Sequence, residues 1–413
     1  MTQLPVSVVI VSRGRPDALT RCLTGVSQLF YDTFEIVVVA DQAGCFTVRA
    51  HEIGDRVKLV EFDEANISAA RNLGIAEAAG DIVAFLDDDA VPEPTWLDHL
   101  VAPFAQEPEL VATTGFVRGR NGISYQWRAR CVDQTGKATD LMITGKEPVV
   151  LRPQLGRTLK TEGTNMAFRR TVLAEIGGFD PAFRYYLDET DVDLRLARLN
   201  HPVAVVPLAE VHHGFYANGV RRSNRAPKDL FEIGASMAVF LRKHCPEQEH
   251  SHIWQHEQAS QKKRLVGFMV SGQLEPGEVV SLMKRLRQGY AEGLDRMIDV
   301  LPPIPRATTG MRTFERHENA EPVVLAGRIW QRKKLRQKAA DLSAKGHRVS
   351  LFVFSPTAYF HRVSFEKAGF WEQSGGLFGK SERTQPWFRL TAFRHRVREE
   401  KQRVAVQRGL NHE

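Results

Sequence analysis

The first 120 residues alternate between two hydrophobic rhythms. Val6-Ser7-Val8-Val9-Ile10-Val11 is a β-branched run of the kind that fills a strand covered on both faces. Ser12-Arg13-Gly14-Arg15-Pro16 breaks it, and Pro16 suits the first turn of a helix continuing to about Leu29. A second buried strand, Glu35 to Ala40, ends at Asp41, and a third spans Val57 to Phe62. Residues 68–79 are Ala-rich and helical, and Asp81 to Leu86 reads as a fourth strand that delivers Asp87-Asp88-Asp89 at its C-terminal end. Pro94 starts another helix, and Leu110 to Val117 reads as a further strand. Strands alternating with helices imply a mostly parallel, doubly wound α/β sheet with helices on both faces.

Beyond residue 120 the rhythm weakens. Residues 120–165 look irregular, helical spacing returns near Arg169–Ile176 and Glu189–Leu199, and Pro202 to Pro207 reads as a short strand between two prolines. A helix from Asp229 to His244 leads into polar, helical sequence to about 300. Leu301-Pro302-Pro303-Ile304-Pro305 reads as a linker. Strand, basic helix and strand patterns at 322–325, 333–345 and 349–354 then predict a small βαβ unit. The expected division is 1–226, 227–300 and 301–413. Charge also changes sign along the chain, though at a different place. Residues 1–240 hold 25 Lys+Arg and 31 Asp+Glu, a net of −6, while residues 241–413 hold 31 and 18, a net of +13. The basic part suits an anionic membrane face, and the tail Arg394 to Arg408 is expected to be an amphipathic helix on such a surface. No nucleic-acid motif accompanies the charge, and no nucleic acid is expected as a partner. The four cysteines form no C-x-x-C pair, no secretory leader is read, and no apolar run approaches the ~20 residues of a membrane span. The expected location is the cytoplasm or the inner face of a membrane.

Candidate chemistry concentrates at strand ends. Ligands of such sheets bind outside the carboxyl ends of the strands, where Asp41 and Asp87-Asp88-Asp89 both fall. Three adjacent aspartates on a sheet-anchored turn repel one another, and a hard divalent cation, Mg²⁺ or Mn²⁺, relieves that cost. A second acidic run, Asp188-Glu189-Thr190-Asp191-Val192-Asp193, opens a helix, where the dipole also favours negative charge.

Four blocks resemble family 2 glycosyltransferases of the GT-A fold. They are Pro5 to Arg13, Asn66-Ile67-Ser68-Ala69-Ala70-Arg71-Asn72-Leu73-Gly74, the D-x-D-like segment Asp81 to Ala90 with Pro92, and Gly163-Thr164-Asn165-Met166-Ala167-Phe168-Arg169-Arg170 followed by Gly177-Gly178-Phe179-Asp180. The resemblance implies a GT-A type fold with a basic C-terminal extension or small α/β domain. It further implies an inverting, metal-dependent transfer of sugar from a nucleotide-diphosphate sugar, with UDP favoured, to a glycan or lipid-linked acceptor, in cell-surface polysaccharide synthesis. Val11, Ser12, Arg13, Asp41, Asn66, Arg71, Asp87 and Asp88 would hold the donor. Asp89, with His212 or His213, would hold Mn²⁺ or Mg²⁺, and a histidine ligand favours manganese. Gly163, Thr164 and Asn165 would face the acceptor. In an inverting displacement a carboxylate takes the acceptor's proton; aligning the family's E-D-x-D motif back from Pro207 prefers Glu189 as that base, aligning on Asp191-Val192-Asp193-Leu194 makes it Asp191, and Asp188 shares the catalytic assignment. Residues 219–225 would form a loop over the diphosphate. The alternative is a non-catalytic nucleotide-sugar-binding or scaffold protein on the same fold, against which the intact acids at 87–89 and 188–191 argue.

Overall fold

The computed structural model describes residues 3–154, 156–214, 219, 221–315 and 321–410. The opening patterns become β1 (Val6–Ser12), α1 (Pro16–Val26), β2 (Phe34–Ala40), α2 (Gln42–Ala50), β3 (Val57–Glu61), α3 (Ile67–Glu77) and β4 (Ile82–Asp87). β1, β2 and β4 are buried along nearly their whole length, which is why both faces carry Val and Ile. Pro16 opens α1, and the side chains of Asp41 and Asn66 cap α2 and α3. β5 (Ala90–Pro92), α4 (Trp96–Gln106) and β6 (Ala112–Arg118) follow. The stretch expected to be irregular instead holds β7 (Tyr125–Trp127), β8 (Ala129–Asp133), β9 (Ala138–Leu141), β10 (Val149–Leu151) and β11 (Arg157–Leu159), too short to carry a periodic signal. Then come β12 (Met166–Arg169), α5 (Arg170–Glu175), α6 (Asp188–Arg198) and β13 (Val203–His213).

The main sheet runs β10-β13-β6-β12-β4-β1-β2-β3, with β5 on β13 and β7 on β6, and β11-β8-β9 form a separate small sheet. β12 and β10 run antiparallel to their neighbours along this path, and the other pairs are parallel. Leu19, Cys45 and Trp96 from α1, α2 and α4 cover one face. Ile75, Leu173 and Val192 from α3, α5 and α6 cover the other. The doubly wound, mostly parallel GT-A type architecture is therefore present.

The strand expected to end at Pro207 continues through it to His213. A bulge between Val206 and Glu210 takes the proline out of the ladder, so its missing N–H costs no bond. The bulge is accommodated by Gly115, where a Cβ would fall 1.9 Å from the Ala209 carbonyl oxygen.

The second half starts with α7 (Phe231–His244), α8 (Glu247–Val270) and α9 (Pro276–Asp295). It ends in a four-stranded unit made of β14 (Pro322–Arg328), α10 (Arg332–Ser343), β15 (Arg348–Ser355), β16 (Arg362–Phe365), β17 (Trp371–Gly376) and α11 (Phe393–Arg408), in sheet order β14-β15-β17-β16. β14 and β15 are parallel across α10, as the βαβ reading requires. Two expectations are corrected. The Pro-rich 301–305 stretch is not a free linker, because it starts a strap along the first domain. Ile304 N–H donates to Ala174 O, Arg312 N–H to Glu35, and Phe314 N–H to Phe34 O, with the Phe314 ring buried 5.3 Å from that of Phe34. The tail helix α11 does not lie free on its surroundings either. Arg396, Glu400, Val404, Ala405 and Arg408 are buried, the arginines being compensated by Glu400 and by Glu93 of the first domain. Among the described residues no helix is long and apolar enough to cross a membrane.

Candidate active site

The register of the central strands assembles the site. Val11 of β1 lies opposite Asp87 of β4, and Ser12 opposite Ala40 of β2, so the ends of three strands meet. Strand-like alternation past the end of β4 sends successive aspartates to different sides. Asp88 is fully buried, accepting from Ser12 Oγ at 2.7 Å and ion-paired with Arg15 at 2.5 Å. Asp87 and Asp89 turn the other way and converge with His213, their ligand-capable atoms all within 4.8 Å of one another. His213 reaches Asp89 at 3.1 Å and is oriented from its other ring nitrogen by Gln126 at 3.0 Å. Burial pushes the Asp88 carboxyl up, while Asp89, although buried, is held below the usual carboxylate range by His213 and Arg15. Two carboxylate oxygens and an imidazole nitrogen form a donor set that fits Mn²⁺, and Mg²⁺ less well.

This geometry corrects three expectations. Asp88 has no surface to offer a ribose or sugar hydroxyl, and Asp87 takes its place beside the candidate cation position. His212 points away from the cluster: its Nε2 meets Glu93 at 2.8 Å and its ring lies 4.6 Å from that of Trp371. Successive strand residues face opposite sides, so only one of the two histidines joins the acids. Asn165 is fully buried, with its amide donating to Phe116 O and Ala209 O and accepting from Trp96 Nε1, which leaves nothing for an acceptor. Asn165→Ala is expected to cost about 2–3 kcal/mol of stability, read by urea unfolding, because three scaffold groups lose their partner.

Other sequence candidates occupy the rim or the scaffold. Asp41 accepts from Gly14 N–H and Gly44 N–H, both at 2.8 Å, tying the β1 loop to α2. Arg13 is exposed and bonded to Asp63. Asn66 caps α3 and donates to Pro181 O. Arg71 is buried between Phe85 and Phe179, ion-paired with Asp188 and 3.7 Å from Asp87, so it bridges the two acidic runs. Gly163 leaves room for that guanidinium, since a Cβ would lie 2.8 Å from Arg71 Nη2. Beside it, Thr164 Oγ1 is buried without a hydrogen-bond partner among the described residues.

The three acids of α6 separate just as clearly. Asp191 is buried under Arg195, Lys243 and His244, which hold its carboxyl far below the usual range despite burial. Burial pushes the Asp188 carboxyl up, against Arg71. Glu189 pairs with Lys160 at 2.7 Å and lines a cavity of about 740 Å³ with Trp127, Arg130, Tyr186 and His256. Its half-buried carboxyl is held below the usual carboxylate range by Lys160 and Arg71 and is ionised at neutral pH. Just before α6, Tyr186 and Leu187 hold left-handed backbone conformations (φ 79° and 64°), strain of the kind stored at functional sites.

Residues 7–177 match the model of the family described as Glycosyl transferase family 2. This part of the chain is similar to that family. The matched segment covers β1 to α5 and ends before α6. Among the curated relatives is a glucosyl-dolichyl phosphate glucuronosyltransferase of Haloferax volcanii, 28% identical over 183 residues, spanning 43% of this chain and 56% of the relative. A pre-mycofactocin glycosyltransferase of Mycobacterium tuberculosis is 26% identical over 216 residues, 50% of this chain and 42% of the relative. The chain spans about half the length of these relatives. A solved structure of the mannosyltransferase PcManGT from Pyrobaculum calidifontis, in complex with GDP-Man and Mn²⁺, aligns with 16% identity and a TM-score of 0.43 over 71% of this chain and 88% of that one.

Several residues beside the Asp87–Asp89–His213 cluster escaped sequence reasoning. Arg15 reaches Asp88 and Asp89 from beyond the turn at Gly14 (φ +69°). Tyr185, pushed up by burial and by Asp87, stands between the acidic runs. Arg221 lies 4.0 Å from Asp89. Of the expected 219–225 loop, Val220 lies outside the described residues. The signal available for Arg15 was its place in a polar loop directly after a buried strand.

Proposed function

We propose that the protein is an inverting glycosyltransferase that moves a sugar from a nucleotide-diphosphate sugar to a hydroxyl of a saccharide or lipid-linked acceptor. The observation that carries this reading is the Asp87–Asp89–His213 cluster at the carboxyl ends of β4 and β13. Asp87, Asp89 and His213 would hold a divalent cation, Mn²⁺ by preference, which when bound neutralises charge on the leaving diphosphate. Arg120 and Arg362 line an adjoining cavity of about 550 Å³ with Asp89 and His213, and add cationic field for the same phosphates. In the single displacement the acceptor oxygen bonds to the anomeric carbon as the bond to the diphosphate breaks. The hydroxyl proton passes to the Glu189 carboxylate, which is ionised and faces the larger cavity, whereas Asp191 is sealed under Arg195, Lys243 and His244. Lys160 orients Glu189, and Arg71 couples Asp188 to Asp87. A UDP-sugar donor and a role in cell-surface polysaccharide synthesis, in the cytoplasm or at the inner membrane face, follow from the family resemblance. The relative named for glucosyl-dolichyl phosphate supports a lipid-linked acceptor.

The test is release of nucleotide from a panel of nucleotide sugars with Mn²⁺, with and without lipid-linked and free saccharide acceptors. No turnover together with no metal-dependent nucleotide binding would overturn the enzyme reading and leave a non-catalytic binder. Glu189→Gln is expected to lower kcat at least about a hundredfold, with KM for the donor moving only a few-fold. An unchanged kcat would remove Glu189 as the base.

A further inference from the structure

Besides Ile329 and Trp330, five large apolar side chains stand exposed on the C-terminal unit. Tyr359 is 73% exposed, Phe360 53%, Trp387 74%, Phe388 56% and Leu390 78%. They come from two segments, the turn after β15 and the connection between β17 and α11, which the fold brings together. The Phe360 and Trp387 rings meet edge to face at 5.6 Å, and Lys380 Nζ lies over both, 4.9 and 5.1 Å from their centroids. Phe388 leans on Phe378 at 5.5 Å. Large apolar groups clustered in this way mark an interaction surface.

The surrounding charge identifies the partner. Residues 380–398 carry Lys380, Arg383, Arg389, Arg394, Arg396 and Arg398 against Glu382 alone, so 6 − 1 gives +5. Arg396 is buried on Glu400 and Arg389 is paired with Glu399, but Arg383, Arg394 and Arg398 are exposed. Aromatic tips ringed by cations match a lipid interface, where rings settle at the headgroup level and Lys and Arg meet anionic headgroups. A sugar-stacking platform fits less well. Lys380 lies over the Phe360 and Trp387 rings, and Leu390, the most exposed of the five, has no stacking face.

We infer that this patch is a membrane-docking surface that seats the protein on an anionic bilayer. It moves the point of contact from the length of the tail helix to the segment before α11 and the helix's first turns, since the rest of α11 spends its buried face on the protein itself. Docking also sets the position of the site. Phe360 is two residues before Arg362, about 7 Å of extended chain, and Arg362 lines the cavity beside Asp89 and His213. The inference stands independently of the transfer reaction.

The experiment is co-sedimentation of the full chain with phosphatidylcholine vesicles, with or without about 30% phosphatidylglycerol. Binding to the anionic vesicles is expected to exceed binding to neutral ones about tenfold, and to fall several-fold in about 0.5 M salt. Trp387→Ser with Phe388→Ser is expected to weaken binding at least about tenfold, and Lys380→Glu with Arg394→Glu to remove the preference for anionic lipid. Unchanged circular dichroism and thermal midpoints would show that both variants fold. The inference is overturned if the full chain sediments with neither vesicle, if the Trp387/Phe388 variant binds like the parent, or if the variants lose binding to a soluble oligosaccharide while vesicle binding never appears.

Discussion

Asp89→Asn is expected to lower sugar transfer about a thousandfold, the equivalent of roughly 4 kcal/mol of transition-state stabilisation. The substitution keeps the side chain's shape but removes the charge that meets His213, Arg15 and Arg221. Two further measurements make the result specific. Mn²⁺ affinity, titrated in the presence of nucleotide, should fall at least about tenfold. Asp88→Asn should behave differently, because Asp88 is turned into the protein toward Ser12 and Arg15. Its cost should appear mainly as lost stability, with Mn²⁺ affinity changed far less. Transfer by Asp89→Asn within threefold of the parent would remove Asp89 from the cation site.

Arg408→Met is expected to destabilise the protein by about 3–5 kcal/mol, because it strands a buried carboxylate. Arg408 reaches Glu93 at 3.0 and 3.3 Å, Ser350 Oγ at 3.3 Å, and lies over the Trp371 ring. Glu93 is buried, and Arg408 and His212 hold its carboxyl far below the usual carboxylate range despite that burial. A group with a depressed folded pKa contributes stability above its unfolded value, about 4.3 for Glu, and loses it as pH falls toward the folded value. The gap between parent and Arg408→Met in urea unfolding should therefore be widest at neutral pH and narrow below about pH 4. Adding Glu93→Gln to Arg408→Met should restore much of the loss, since the uncompensated charge is then gone. Equal losses in the single and double variants would mean that packing against Trp371, rather than charge, dominates.

The central sheet was legible because β1, β2 and β4 are covered on both faces, so nearly every position had to be apolar. The position of Asp87-Asp88-Asp89 was legible for the same reason: the strand that carries it is unambiguous. Its division of labour depends on which way each residue faces at the strand end, and the same alternation separates His213 from His212. A two-residue pattern contains that information only when the last paired residue is known. Arg15 was missed because the turn at Gly14 returns the chain over the strand ends. Phe314, a lone aromatic after a proline-rich stretch, gave no periodic signal, yet it fills a gap beside Phe34. The tail helix α11 was expected to rest on an anionic surface; Arg396 pairs within the helix with Glu400, but the partner that buries Arg408 lies 315 residues away.

That separation has a consequence for how the molecule is made. Glu93, Val91 and His212 present a docking face that is finished when Val363, Trp371 and Arg408 arrive. At about 5–20 residues per second, the interval between synthesis of Glu93 and of Arg408 is roughly 15–60 s. Until β13 and the C-terminal unit are made, Glu93 lacks His212 and Arg408, and the apolar patch at Val91 lacks Val363 and Trp371. Both favour a loosely closed edge around β5 and the end of β13, the strand that carries His213. The nascent chain is thus exposed to holdase chaperones and proteases at this edge for tens of seconds, and the last turn of α11 closes that window.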